Sequence, residues 1–162
     1  MGTPTETIIE LFLRRIEKDS DFFEYFNVPD DEALELVHQR ANNFLEESIY
    51  KLISRCNPKV DFLSRDDDGN FTFELNSQEK ELLPSLMYES YLDRDFAYLK
   101  TLSNDYTTTE LRVFDPSNAR STFLKIYNTV HDYNEKLLQD YKDTERETGE
   151  YKIVDFSKYD FE

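Results

Sequence analysis

Along most of this chain apolar side chains recur at intervals of three and four, and the one departure from that spacing falls in the middle. Ile8, Ile9, Phe12, Leu13 and Ile16 share a helical face between Pro4 and Glu17, with Thr3 expected as a cap and Pro4 suited to the first helical position. Between Asp21 and Asn27, Phe22, Phe23, Tyr25 and Phe26 crowd a stretch too short for a long helix. Pro29 blocks its continuation, so an aromatic turn or helical stub is expected there. A second helix is predicted from Asp30, its expected N-cap, to near Cys56. At about 100° per residue, Leu34, Val37, Ala41, Phe44, Leu45, Ile49 and Leu52 fall on one side of it.

The period then changes from helical to alternating. Val60, Phe62, Phe71, Phe73 and Leu75 flank Arg65-Asp66-Asp67-Asp68-Gly69-Asn70, the pattern of two strands and a turn, and predict one β-hairpin near 60–75. Asn76 with Glu79 three residues later has the form of a capping box. The helix it opens is apolar on most of its circumference, through Leu82, Leu83, Leu86, Met87, Tyr91, Leu92, Phe96 and Leu102, so it should be central or covered by neighbouring subunits. Pro84 lies inside that pattern, predicting either a kink or a later start. Asp115-Pro116 opens the last helix, whose stripe runs through Ala119, Phe123, Ile126, Tyr127, Val130, Tyr133, Leu137 and Tyr141 and which Thr148-Gly149 should stop. The fold class expected is mainly α: a four-helix bundle with one β-hairpin, spanning 1–149, and an extended C-terminal tail over 150–162.

Composition narrows what such a domain can do. Leu, Ile, Val and Phe together fill 44 of 162 positions, well above the roughly one-fifth below which charged chains stay unfolded. Lys and Arg number 19 against 35 Asp and Glu, a formal charge of −16, which disfavours unassisted binding of phosphate backbones. The single cysteine, Cys56, leaves no internal disulfide and no thiolate zinc site within one chain. The longest strongly apolar run is Leu11-Phe12-Leu13, against the ~18 residues needed to span a bilayer. The first ten residues carry two Glu and no Lys or Arg, unlike a secretory signal, so a protein retained inside a cell is expected, with no membrane partner.

Candidate chemistry is sparse. Aligning Gly69 with the glycine of an EF-hand loop leaves Ser64 at the first ligand position and Leu75 where a bidentate Glu is needed, so the acidic run reads as a turn. His131 and Glu135 stand one helical turn apart without a further ligand, and His38 is isolated, so neither histidine predicts a metal site. Glu46-Glu47 and Asp30-Asp31 are adjacent and point about 100° apart, which makes no converging acid and base. No nucleophile elbow, glycine-rich phosphate loop or His and Asp arrangement around Cys56 is present. A protein that is not an enzyme, with no cofactor, is the expectation.

The order of elements carries a resemblance. Leu75-Asn76-Ser77-Gln78-Glu79 opening a helix, then Met87-Tyr88-Glu89-Ser90-Tyr91-Leu92, then Phe114-Asp115-Pro116-Ser117-Asn118-Ala119 opening a last helix to Tyr141, resemble the head-to-tail connector, or adaptor, proteins of tailed bacteriophages. The likeness runs from about Asp30 to Asp143; the aromatic tail, Pro84 and the stub at Phe22 to Phe26 depart from it. It implies a structural virion protein forming a ring, twelve-fold in that family, between the portal protein and a tail or neck completion protein. DNA would be transiting cargo, and the place would be the virion neck, assembled in the host cytoplasm. An anionic channel wall would repel that DNA. Tail residues Tyr151, Ile153, Phe156, Tyr159 and Phe161, with Phe71 and Phe73 of the hairpin, are the partner-binding residues expected on this reading. The alternative is an acidic inhibitor, a nuclease immunity protein or DNA mimic, which size and charge suit equally.

Overall fold

A computed structural model describes residues 2–23, 25–105 and 116–153, with side chains left aside at 20, 21, 96–105 and 116–120. The chain is mainly helical, with four long helices and one short turn of helix: α1 (Thr5–Arg15), α2 (Ser20–Phe23), α3 (Asp30–Cys56), α4 (Ser77–Asp105) and α5 (Pro116–Asp143). The expected cap at Asp115 lies outside the described residues, and the side chains of Phe96, Leu102 and Ala119, which fall within α4 and α5, are among those left aside.

α4 is the central element, as its nearly all-round apolar sequence requires. Leu82, Leu83, Leu86 and Met87 have no exposed surface, because α1, α3 and α5 each pack on a different side of the helix. α3 also touches both α1 and α5, whereas among the described residues the backbones of α1 and α5 do not come close. Among the described residues, three helices therefore surround α4 and leave one seam of it uncovered.

The aromatic stub has a packing reason. α2 places Phe22 in the core, 6.1 Å from the Phe12 ring, 6.4 Å from Phe44 and 6.0 Å from Tyr91. The Arg40 guanidinium lies 4.3 Å from the Phe22 ring centre and donates to the Tyr25 hydroxyl at 2.9 Å, closing the node from outside. Phe26 and Leu34, at the junction into α3, stay exposed.

The expected hairpin is not formed: among the described residues, 60–75 contains no strand and only one antiparallel bridge, Arg65 to Phe71. The alternation is nonetheless real, since Phe62, Phe71 and Leu75 are buried. What differs is where the backbone bonds go. The Phe71 N–H donates to the Thr3 carbonyl at 3.1 Å, the Thr3 N–H to the Phe73 carbonyl at 3.0 Å, and the Leu75 N–H to the Thr3 hydroxyl at 2.8 Å. The segment before α1 thus takes the groups that a second strand would have used. This also corrects the expected role of Thr3, because Pro4 occupies the N-cap position with no side-chain bond.

α4 begins where the capping box predicts. The Glu79 N–H donates to Asn76 Oδ1 at 2.8 Å and the Asn76 N–H to Glu79 Oε2 at 2.9 Å. Pro84 lies within the helix, so a later start does not occur, and the Lys80 carbonyl is left without its helical donor. α5 ends at Asp143, before the predicted stop. A reverse turn follows, bridged between Thr144 and Tyr151 and closed by Glu145 N–H to the Glu150 carbonyl at 2.8 Å.

Candidate functional site

The side chains expected to meet a partner fall into two groups. Phe71 is fully buried and Phe73 half-buried. Their rings pack on Phe62 at 6.2 and 5.2 Å, with Arg65 over Phe71 and Arg146 over Phe73, so both build the chain's own core. Tyr151 and Ile153 are the opposite, 70% and 94% exposed. Phe156, Tyr159 and Phe161 lie outside the described residues.

The reverse turn that carries Tyr151 outward is firmly held at its base. The Lys152 N–H donates to the Asp143 carbonyl at 2.7 Å, and Lys59 pairs with Glu145 at 2.9 Å. Arg146 reaches from the turn into the bundle, where its guanidinium bonds both oxygens of Glu79, at 2.7 Å from Nε and 2.9 Å from Nη2. Glu79 is wholly buried and also accepts the Tyr141 hydroxyl at 2.9 Å. Burial and this carboxylate push the Tyr141 hydroxyl well up, and the bond to Glu79 pushes Arg146 up. One residue therefore caps α4, fastens α5 and anchors the platform from which the tail departs.

A second buried carboxylate stands farther along α4. Glu89 accepts Lys51 Nζ of α3 at 2.5 Å, pairs with His131 Nδ1 of α5 at 2.9 Å, and accepts Asn134 Nδ2 at 2.6 Å. Asn134 in turn accepts the Ser85 hydroxyl at 2.6 Å. Burial alone would raise the Glu89 carboxyl, but its bonds to His131, Lys51 and Asn134 outweigh it and hold the group below the ordinary carboxylate range. Neither acidic node was legible as a site in the sequence, where Glu79 reads as a cap and Glu89 as one more polar residue. A signal was present: each Glu interrupts the apolar circumference of a central helix, which requires a donor from a neighbour.

The remaining candidates behave as structural groups. Asp66 folds the acidic turn by accepting Asn70 N–H at 2.8 Å and Asp68 N–H at 3.1 Å on Oδ1, with Gly69 at φ +81° where only glycine is unstrained. His38 lies 3.3 Å from Glu6 on the surface, and Glu135 pairs with Arg55 at 2.8 Å. Burial pushes the Cys56 thiol up against the pull of Lys142, Lys152 and Arg55, which disfavours the thiolate. Among the described residues no group of three or more His, Cys, Asp and Glu is placed to hold a metal ion, and no helix is long and apolar enough to cross a membrane. No protein-family model, curated protein or solved structure matches the chain.

Proposed function

We propose that this chain is a structural subunit of a bacteriophage neck, a connector-like helical bundle that forms a ring between the portal protein and the tail or neck completion proteins. The observation that carries the reading is the outward presentation of Tyr151 and Ile153 on a turn pinned to the bundle by Arg146 and Lys152. Such an arrangement offers apolar anchors to another protein from a rigid base, which is how a few side chains dominate an interface. The order of elements supports it too: a long helix, a non-helical excursion, a central helix opened by a capping box and a long last helix. Both buried carboxylates are consumed in joining helices, so the described polar chemistry serves cohesion. A charge of −16 suits a conduit wall that DNA must pass without sticking.

The test is co-expression with a tailed-phage portal protein, taken from the same genome where one is encoded, followed by sedimentation and electron microscopy. The expected product is a ring stacked on the portal. Failure to co-assemble, together with one-to-one capture of a basic nuclease, would replace this reading with the acidic inhibitor.

A further inference from the structure

Two carboxylates from different parts of the chain converge on one hydroxyl beside the aromatic node. Tyr91 of α4 donates to Asp19 Oδ2, in the corner between α1 and α2. Asp95 stands one helical turn after Tyr91 on the same face of α4, half-buried, and shares that hydroxyl. The ring that carries it is fixed, because Phe12, Phe22 and Phe44 pack against it at 6.3, 6.0 and 6.3 Å.

A phenol has one proton to give and lone pairs to accept another. With both aspartates ionised, Tyr91 can serve only one of them, and the other faces its oxygen across a contact that holds no hydrogen. A single further proton completes the set: Asp95 donates to the Tyr91 oxygen while Tyr91 donates to Asp19. Electrostatics favour the same state, since two carboxylates on one hydroxyl repel each other. Burial and the Asp19 charge raise the Asp95 carboxyl above the ordinary aspartate range, against the pull of Tyr91, Arg94 and Arg40.

The cations around the pair are committed elsewhere. Arg40 of α3 bonds the Phe22 carbonyl and the Tyr25 hydroxyl, and Arg94 of α4 lies over the Phe44 ring at 5.9 Å. From α1 and the segment after it, Arg14, Arg15, Glu17 and Lys18 border the cleft that Asp19 shares with Tyr91. Among the described residues no third ligand joins the two aspartates to make a metal site.

We propose that Asp95, Tyr91 and Asp19 form a proton-operated latch between α4 and the α1–α2 corner, closed when the Asp95 carboxylic acid donates to the Tyr91 oxygen and loosened when that proton passes to water. A carboxyl raised in the folded state adds stability as pH falls through its folded value, and the gain is complete below the unfolded value of about 3.9. The corner is held by Asp19 N–H to the Ile16 carbonyl at 2.9 Å and Phe22 N–H to the Asp19 carbonyl at 3.2 Å, and it carries the buried Phe22 ring. Opening the latch therefore loosens the aromatic node itself. Glu89 responds to acid with the opposite sign, since its carboxyl is held down. The latch operates within a single chain, whatever that chain assembles with.

An acid titration of the full-length chain tests the proton through the carboxyl carbon shifts in NMR, and amide exchange tests the latch. Asp95 should titrate above the ~3.9 of an unfolded aspartate, and Asp19→Asn should weaken its proton affinity at least about threefold by removing the facing charge. Protection of the Asp19 and Phe22 amides should rise at least about threefold as pH falls through the Asp95 midpoint. In Asp95→Asn the side-chain amide donates to the Tyr91 oxygen without titrating, so protection should already stand at the acid level at neutral pH and stay there. Glu89 does not imitate this rise, because its own contribution falls in acid. Should Asp95→Asn lose its helical melt, the wild-type titration and exchange decide alone. An Asp95 that titrates at or below the ordinary range, a midpoint indifferent to Asp19→Asn, or an Asp95→Asn chain that keeps the wild-type rise in protection would each overturn the proposal.

Discussion

A carboxylate enclosed by packed helices persists only where donors replace the water it has lost, and removing them leaves a buried charge that costs several kcal/mol. Glu89 has three such donors from α3 and α5, and they hold its carboxyl below the ordinary range despite burial. A carboxyl depressed in the folded state adds stability above its unfolded pKa of about 4.3, and that stability is lost as pH falls through the folded value. Glu89→Gln should therefore lower stability by about 2–3 kcal/mol at neutral pH. The gap to wild type should narrow below the unfolded pKa as the native carboxyl is protonated. Urea unfolding at a series of pH values checks it, and two curves that stay parallel into acid would show that the charge contributes nothing.

At the scale of elements, the segment before α1 does the work that a second strand was expected to do, and its backbone lies very close to residues 71–73. A Cβ added at Gly2 would stand 1.6 Å from the Phe71 carbonyl oxygen, a contact that no side-chain rotation relieves. Gly2→Ala should push the segment away, break the Thr3 bonds to Phe71, Phe73 and Leu75, and cost about 1–3 kcal/mol. Thermal melting and faster amide exchange at Phe71 and Leu75 would register the loss; unchanged protection there would mean that the contact yields without cost. The same contact explains what could and could not be seen in the sequence. α1, α3, α4 and α5 were legible because helix bonds are local and each apolar face repeats along its own segment. Capping at Asn76 and Glu79 was legible for the same reason. The alternation from Val60 to Leu75 correctly marked which side chains point inward, but the bonds that decide between hairpin and loop come from Thr3, more than sixty residues away, and no local period reports them. The nodes at Glu79 and Glu89 were hidden likewise, since Arg146, Lys51 and His131 are distant in sequence.

For the whole molecule, the division between body and tail falls later than the glycine stop suggested. Glu150 and Lys152 bond back to Glu145 and Asp143, so the turn through residue 152 belongs to the folded body, whereas Ile153 stands almost fully in solvent. Cutting the chain after Ile153 removes none of the described contacts and should leave the helical circular dichroism and the melting temperature unchanged. Cutting after Thr148 removes both of those backbone bonds and loosens the turn that sets Arg146 against Glu79, and should cost about 1–2 kcal/mol while keeping a cooperative melt. Both cuts delete Phe156, Tyr159 and Phe161, so both should abolish ring formation on the portal. A shorter chain that unfolds outright would show that the turn through residue 152 is essential to the stability of the bundle. If the longer one still assembles on the portal, residues beyond Ile153 are not the main contact, and the exposed Tyr151 of the pinned turn is left to make it.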